Sequence, residues 1–145
     1  MDRIFQEIAE FRAKWAHEPG MGDVAEPIDP YSPEGRKLIS DYIAYIRSEL
    51  VEIEDDLEAG LGMPAVIDGI SDSLVFHGHW IHRLGLASTF GVFFSEVNRS
   101  NLTKGQVGRL IDPETGKMIK GPGYEKPRIP EIYNELFPEA ANQPV

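Results

Sequence analysis

Hydrophobic residues recur every three or four positions through the first hundred residues, the spacing of helices that bury one face. The most regular stripe lies in the second predicted helix, where Ser32 and Pro33 supply an N-cap and a first-turn proline and Gly60 a stop. The predicted helices cover residues 3–17, 33–59, 64–84 and 87–100. These stripes predict helices packed against one another, so we expect an all-α protein built as a four-helix bundle.

The helical pattern stops after the fourth helix. Residues 108–120 predict a short hairpin that turns at Asp112–Gly116, and a single helical turn follows Pro130. The segments between them are rich in proline and glycine, which is typical of an irregular connection. We therefore divide the chain into a helical core, residues 1–100, and a C-terminal arm, residues 101–145.

The composition removes several classes of protein. The chain contains no cysteine, which excludes disulfides, thiolate metal sites and cysteine nucleophiles. No apolar stretch approaches the roughly 20 residues that cross a bilayer, and the charged N-terminus lacks an apolar signal core, so we expect a cytoplasmic protein without a membrane partner. The net charge of −10 argues against a nucleic-acid surface. It leaves open a small anionic ligand, because bound divalent cations reverse the local charge.

Acidic residues concentrate on the two central predicted helices. Glu49, Glu52 and Asp56 share one side of the second helix, and Asp68 and Asp72 lie one turn apart on the third. If these helices pack antiparallel, the carboxylates meet near the connecting loop, and their repulsion calls for cations between them. Magnesium suits such a site because it takes oxygen ligands together with substrate phosphates. The alternative is that the acids form the solvated face of a long helix.

Two unusual segments follow in a characteristic order. They are FSEVNRSNLTK at residues 94–104 and GKMIKGPGY at residues 116–124. Together with the acid-bearing helices before them, they resemble the MazG-like all-α nucleoside triphosphate pyrophosphohydrolases, especially the small phage and bacterial forms. The resemblance implies a hydrolase that converts a nucleoside triphosphate to monophosphate and pyrophosphate with Mg²⁺ or Mn²⁺, two or more ions per site. By analogy the suggested substrate is a purine deoxynucleotide such as dGTP, and the location is the host cytoplasm if the protein is phage-encoded.

The resemblance assigns the acids to roles. The metal ligands would be Glu49, Glu52, Asp68 and Asp72. The catalytic carboxylates would be Glu49, Glu52 and Asp56, with Asp56 as a candidate to orient the attacking water. The chain departs from the family pattern at Ser48 and Gly69, where the family has glutamates. Residues 1–100 would then be the catalytic core, and residues 101–145 would contain the phosphate motif.

Other side chains are candidates for substrate contacts. The motif after the fourth helix offers phosphate and sugar contacts from Arg99, Asn101 and Lys104. Base recognition calls for ring faces and polar edges, because a base stacks on an aromatic side chain. The candidates for it are Trp15, His79, Trp80 and Tyr124. The alternative for the two tryptophans is that they belong to the hydrophobic core.

Two other functions remain open at this stage. One is a non-catalytic helical binding or assembly module derived from the same family, in which Ser48 and Gly69 reflect lost catalysis. The other is a phosphoribosyl-ATP pyrophosphohydrolase. In each case the long apolar stripes, with Gly78 and Gly85 permitting close approach, predict a homodimer or homotetramer in which neighbouring chains contribute site residues.

Overall fold

The computed structural model describes residues 2–141 and confirms the all-α class. Within that range the chain forms six helices and no strand. The helices are α1 (Asp2–Lys14), α2 (Pro33–Glu58), α3 (Met63–Arg83), α4 (Phe90–Leu102), α5 (Ile129–Leu136) and α6 (Pro138–Ala141). Residues 1 and 142–145, the outer ends of the predicted core and arm, lie outside the described residues. No helix in the described part of the chain is long and apolar enough to cross a membrane.

The chain divides into two compact units, the first ending at Ala87 and the second beginning at Ser88. The first unit contains α1, α2 and α3, and α4 belongs to the second unit. The four-helix bundle therefore stays a prediction, while the packing inside each unit is established.

Helices α2 and α3 form an antiparallel pair, which is the condition that the sequence analysis sets for bringing their acids together. Tyr42 stacks on Trp80 with ring centroids 6.0 Å apart and an interplanar angle of 6°. One turn further along α2, Tyr45 contacts Phe76, with centroids 5.4 Å apart. The partner number falls along α3 as the residue number rises along α2, which defines the antiparallel register. The tight connection between the helices uses Gly60 at φ 79°, a conformation that glycine adopts without a steric penalty.

The two helices approach closely at Gly69. This glycine is buried, and a Cβ added to it would lie 2.8 Å from Cδ1 of Ile53 and 3.5 Å from the carbonyl oxygen of Glu49. The backbone of α3 therefore rests on α2 one to two turns before the connecting loop. This contact fixes the position of α3 along α2, and with it the spacing between the acid-bearing parts of the two helices.

Helix α1 packs on the opposite side of α3. A Cβ added to Gly78 would lie 2.5 Å from Cδ1 of Ile8, which is itself only 5 % exposed. The connection that follows α1 returns along the end of α3, where the amide of Ile28 donates to the carbonyl of Leu84 at 3.1 Å. The predicted cap of α2 is present, with the Ser32 hydroxyl accepting from the Gly35 amide at 2.9 Å.

The predicted hairpin in the second unit is present as a short hydrogen-bonded turn. Its amide of Asp112 donates to the carbonyl of Lys117 at 2.9 Å, and Ile111 pairs with Met118 in an isolated antiparallel bridge. The helix after Pro130 is longer than the single turn expected, since α5 spans eight residues.

Three boundaries of the first four helices differ from the sequence prediction by two residues or more. Helix α1 ends at Lys14, where the prediction extends to residue 17, and α4 begins at Phe90 and ends at Leu102. Turns occupy the positions that the prediction assigns to helix at both places. Helix ends differ in this way because the terminal turn is set by local capping, which apolar spacing does not report.

Candidate active site of the first unit

Four of the predicted site acids lie on the stretch of α2 and α3 where Gly69 brings the two helices together. Burial first, and then the negative charges of neighbouring acids, raise the pKa of the Glu49 carboxyl. Those neighbours are Asp72, Glu52 and Asp68. Each of the three thus lies within electrostatic range of Glu49, and we call these four acids on the two helices the acidic cluster.

The acidic cluster has no compensating positive charge in the described chain. Within residues 2–141, none of the four carboxylates accepts a hydrogen bond from a side chain or forms an ion pair. Glu52, Asp68 and Asp72 are exposed to solvent, and Glu49 is half-buried. Their oxygens are therefore available to a cation from solution. Asp56 is half-buried one turn further along α2.

The donor set fits a hard divalent cation in its chemistry. Carboxylate oxygens suit Mg²⁺ and Mn²⁺, and mutual repulsion among four of them falls when a cation binds. Within the described residues, no group of three or more His, Asp or Glu side chains is close enough to hold an ion as it stands. Holding one would thus require rotamer changes in the exposed side chains, which are not fixed by hydrogen bonds.

The two departures from the family pattern have different structural settings. Gly69 faces the packed seam, and a glutamate there would collide with Ile53. Helix packing therefore requires a glycine at position 69. The neighbouring acid Asp68 lies outside the contact between the two helices and is exposed. Ser48 is exposed, and its hydroxyl donates to the carbonyl of Tyr45 at 2.6 Å, one turn back on α2.

The candidates for base recognition in the first unit have distinct environments. Trp15 is 38 % exposed, so it is not a core residue. Trp80 is stacked on Tyr42, and His79 is buried. The edge of His79 also lines a mostly apolar groove of about 400 Å³ between α1 and α3, beside Phe11.

Arg12, a residue that the sequence analysis does not single out, favours the neutral form of His79. Arg12 is 2 % exposed, and its Nη1 lies 3.0 Å from Nδ1 of His79. A guanidinium only donates, so Nδ1 accepts and a neutral ring keeps its proton on Nε2. Burial lowers the pKa of His79, and Arg12 and His82 lower it further. The sequence indicates this residue only by its position, because Arg12 follows Ile8 by four residues and so lies on the apolar face of α1.

The other substrate candidates belong to the second unit. Arg99 already donates to the carboxylates of Glu96 at 2.9 Å and Glu125 at 2.7 Å. Lys104 is half-buried, and its ammonium pairs with no acid in the described chain. Tyr124 lies under the ammonium of Lys120, which is 5.3 Å from the ring centroid. Asn101 is exposed on the last turn of α4.

The motif at residues 94–104 clamps α4 to the arm that follows. Glu96 is 6 % exposed and accepts from the amide of Arg128 at 2.8 Å as well as from Arg99. The hydroxyl of Ser100 donates to the carbonyl of Glu125 at 2.7 Å. The Arg99 hydrogen bond first, and then the Arg128 amide, lower the pKa of Glu96 to about 2. Glu96, Arg99 and Ser100 of this motif thus have a structural role, because they hold α4 to the segment at residues 125–128.

Comparison with known proteins adds no assignment to this geometry. No protein-family model matches the sequence, and no curated protein matches it significantly.

Proposed function

We propose that the protein is a divalent-cation-dependent pyrophosphohydrolase that splits a nucleoside triphosphate into its monophosphate and pyrophosphate. The observation that carries the proposal is the acidic cluster, in which Glu52, Asp68 and Asp72 lie within electrostatic range of Glu49 and none of the four has a positive partner among the described residues. Such a concentration of negative charge is unfavourable unless cations bind there. A solvated face of α2 alone would involve no acid of α3, whereas Asp68 and Asp72 act on Glu49 from that helix.

In this proposal the acids have two roles, binding of the cations and orientation of the attacking water. Glu49, Glu52, Asp68 and Asp72 hold the cations. When bound, the cations neutralise phosphate charge and lower the pKa of the attacking water. Asp56 is positioned one turn away to orient that water and to accept its proton. The water oxygen forms a bond to the α-phosphorus while the bond to the bridging oxygen breaks, and pyrophosphate leaves on the opposite side.

The experiment is an assay of pyrophosphate release with each of the eight common ribo- and deoxynucleoside triphosphates, in Mg²⁺ or Mn²⁺. Glu52→Gln and Asp72→Asn remove one charge from each helix while keeping the side-chain shape. Loss of an outer partner at a metal site already costs about 10–100-fold, so we expect each ligand variant to lose at least about 100-fold in activity.

The matched control is Glu54→Gln. Glu54 is an exposed acid on the same helix and is absent from the charges that act on Glu49. This variant should retain wild-type activity. Full activity in Glu52→Gln or Asp72→Asn, or no pyrophosphate from any nucleotide with either metal, refutes the proposal. We expect a purine deoxynucleotide such as dGTP to be the preferred substrate.

The roles of the remaining candidates stay predictions from the resemblance. They concern phosphate contacts by Arg99, Asn101 and Lys104, and base contacts by Trp15, His79, Trp80 and Tyr124. Assembly into a homodimer or homotetramer is also part of the proposal. It is supported by apolar side chains that α2 and α3 leave more than half exposed, namely Leu50 at 53 %, Leu57 at 51 % and Ile67 at 59 %.

A further inference from the structure

Three buried N–H donors of the first unit have no acceptor. Within residues 2–141, Nε of Arg12, Nε1 of Trp80 and Nε of Arg83 are each shielded from solvent and make no hydrogen bond. Guanidinium and indole N–H groups can only donate, so an acceptor is the only kind of group that can satisfy them. Buried donors without a partner are rare in native proteins, and each costs free energy.

These donors belong to one cluster at the end of α3 away from the connecting loop. Nη2 of Arg12 donates to the carbonyl of Gly22, and the guanidinium of Arg83 packs against Gly20, so both guanidinium groups lie against the same few residues after α1. Tyr42 lies within electrostatic reach of both arginines. Trp80 stacks directly on the Tyr42 ring at 6.0 Å. We call Arg12, Tyr42, Trp80 and Arg83 the donor cluster.

The donor cluster has more positive charge than the described residues balance. The side chain of Arg83 forms no hydrogen bond or ion pair within residues 2–141, although it is only partly exposed. Asp23 is the acid whose charge acts on Arg12, and its carboxylate lies 3.2 Å from Nδ1 of His82. Neither Arg12 nor Arg83 forms an ion pair with an acid within residues 2–141. This imbalance is notable in a chain whose net charge is −10.

The connection after α1 closes over part of the donor cluster. The carbonyl of Gly22 accepts from Nη2 of Arg12 at 3.0 Å. The guanidinium carbon of Arg83 would lie 3.3 Å from a Cβ added to Gly20, so the side chain packs directly against this backbone. Tyr42 and Arg83 are only half-buried, which leaves a side from which a small ligand can approach.

We propose that the donor cluster is a binding site for a small oxyanion, either a phosphate or a carboxylate group. An oxyanion supplies several acceptor oxygens and a negative charge, and the planar fork of Arg83 matches its geometry. Arg83 follows Asp72 by eleven residues on α3, which is roughly 16 Å along the helix axis. The donor cluster is thus separate from the acidic cluster, and the inference does not rest on the proposed pyrophosphohydrolase activity.

The test is thermal unfolding of the full chain, followed by far-UV circular dichroism, in titrations of inorganic phosphate, acetate or chloride. EDTA is present throughout, so that metal binding at the acidic cluster cannot contribute, and ionic strength is matched with chloride. A ligand that binds only the folded state raises the unfolding temperature in a saturable way. We expect saturable stabilisation by phosphate or by acetate. The titration that gives it identifies whether the ligand group is a phosphate or a carboxylate.

Arg83→Gln removes the unpaired charge without breaking a side-chain hydrogen bond of the described structure. Because a charge-assisted hydrogen bond is worth about 1.5–3 kcal/mol, this variant should weaken the apparent oxyanion affinity by about 10–100-fold. Trp80→Phe keeps a ring on Tyr42 and deletes only the N–H, so it should also weaken the affinity and should fold normally. The matched control is Arg47→Gln, which should bind like the wild type, because Arg47 is an exposed arginine of α2 whose side chain has no partner among residues 2–141.

Stabilisation by neither oxyanion beyond the chloride control overturns the proposal. Equal stabilisation of wild type and Arg83→Gln also overturns it, because a general salt effect does not depend on this side chain. Glu52→Gln should respond to the oxyanion like the wild type. An inactive enzyme with an intact oxyanion response, or the reverse, would show that the two proposals fail independently.

Discussion

Gly69→Ala tests the helix contact that brings the acids together. The added Cβ would lie 2.8 Å from Cδ1 of Ile53 and closer still to its Cγ1, whereas ordinary van der Waals contact begins at 3.4 Å. Overpacking of this kind costs about 1–3 kcal/mol. Replacing a helical glycine by alanine returns about 1 kcal/mol in helix propensity. We therefore expect the free energy of unfolding to fall by about 0–2 kcal/mol.

The assay is urea unfolding followed by tryptophan fluorescence, since Trp15 and Trp80 both lie in the first unit and are the only tryptophans of the chain. The same substitution is measured in an Ile53→Ala background, which removes the obstructing atoms. There Gly69→Ala should stabilise the protein by about 1 kcal/mol, because only the propensity gain remains. The coupling between the two positions should thus be about 1–3 kcal/mol.

Gly91→Ala on α4 controls for the propensity gain. No atom of the described part of the chain lies within 4 Å of a Cβ at this position, so the substitution should be neutral or mildly stabilising when circular dichroism reports the unfolding. The reasoning is refuted if Gly69→Ala has the same effect with Ile53 present and with Ile53 replaced. Such a result would mean that α3 does not rest on α2 at this residue.

Two further predictions concern the clamp on α4 and the assembly of the chain. The pKa of Glu96 is lowered from 4.5 to about 2, so its ionised form stabilises the fold above about pH 4.5, and this contribution is lost as the pH falls toward 2. Glu96→Gln should lower the unfolding temperature at pH 7 and lose less of it between pH 4.5 and 2 than the wild type, and equal losses would contradict this. For assembly, light scattering should give the mass of a dimer or tetramer, and Leu57→Glu with Ile67→Glu should shift it toward the 16.2 kDa monomer; a monomeric wild type would remove this expectation.

Much of the first unit could be predicted from the sequence because its determinants are local. Apolar spacing of three and four residues predicts α2 and α3, and Ser32 and Gly60 mark the ends of α2 through capping and a positive φ. The five acids could be assigned to two helices for the same reason. Their proximity could be expected only on the condition that the helices pack antiparallel, which the contacts of Tyr42 with Trp80 and of Tyr45 with Phe76 establish.

The donor cluster could not be predicted from spacing. Arg12 occupies a position on the apolar face of α1, where a sequence pattern offers no partner for it. Its partners are His79 on α3 and the Gly22 carbonyl in the connection, and both come from positions set by folding. The free-energy cost of burying a polar group depends on which hydrogen-bond partners surround it, and the packed structure determines those partners.

The sequence by itself determined the helical class, the extents of α2 and α3 to within a residue, and the presence of acids on these two helices, since these depend on residues within a few positions of one another. Only the tertiary structure decided that Gly69 sets the separation of α2 and α3, and that Glu96 serves as a buried clamp. It also decided that unpaired donors gather at the other end of α3. Each of these depends on contacts between distant parts of the chain, which close packing selects and local patterning does not encode.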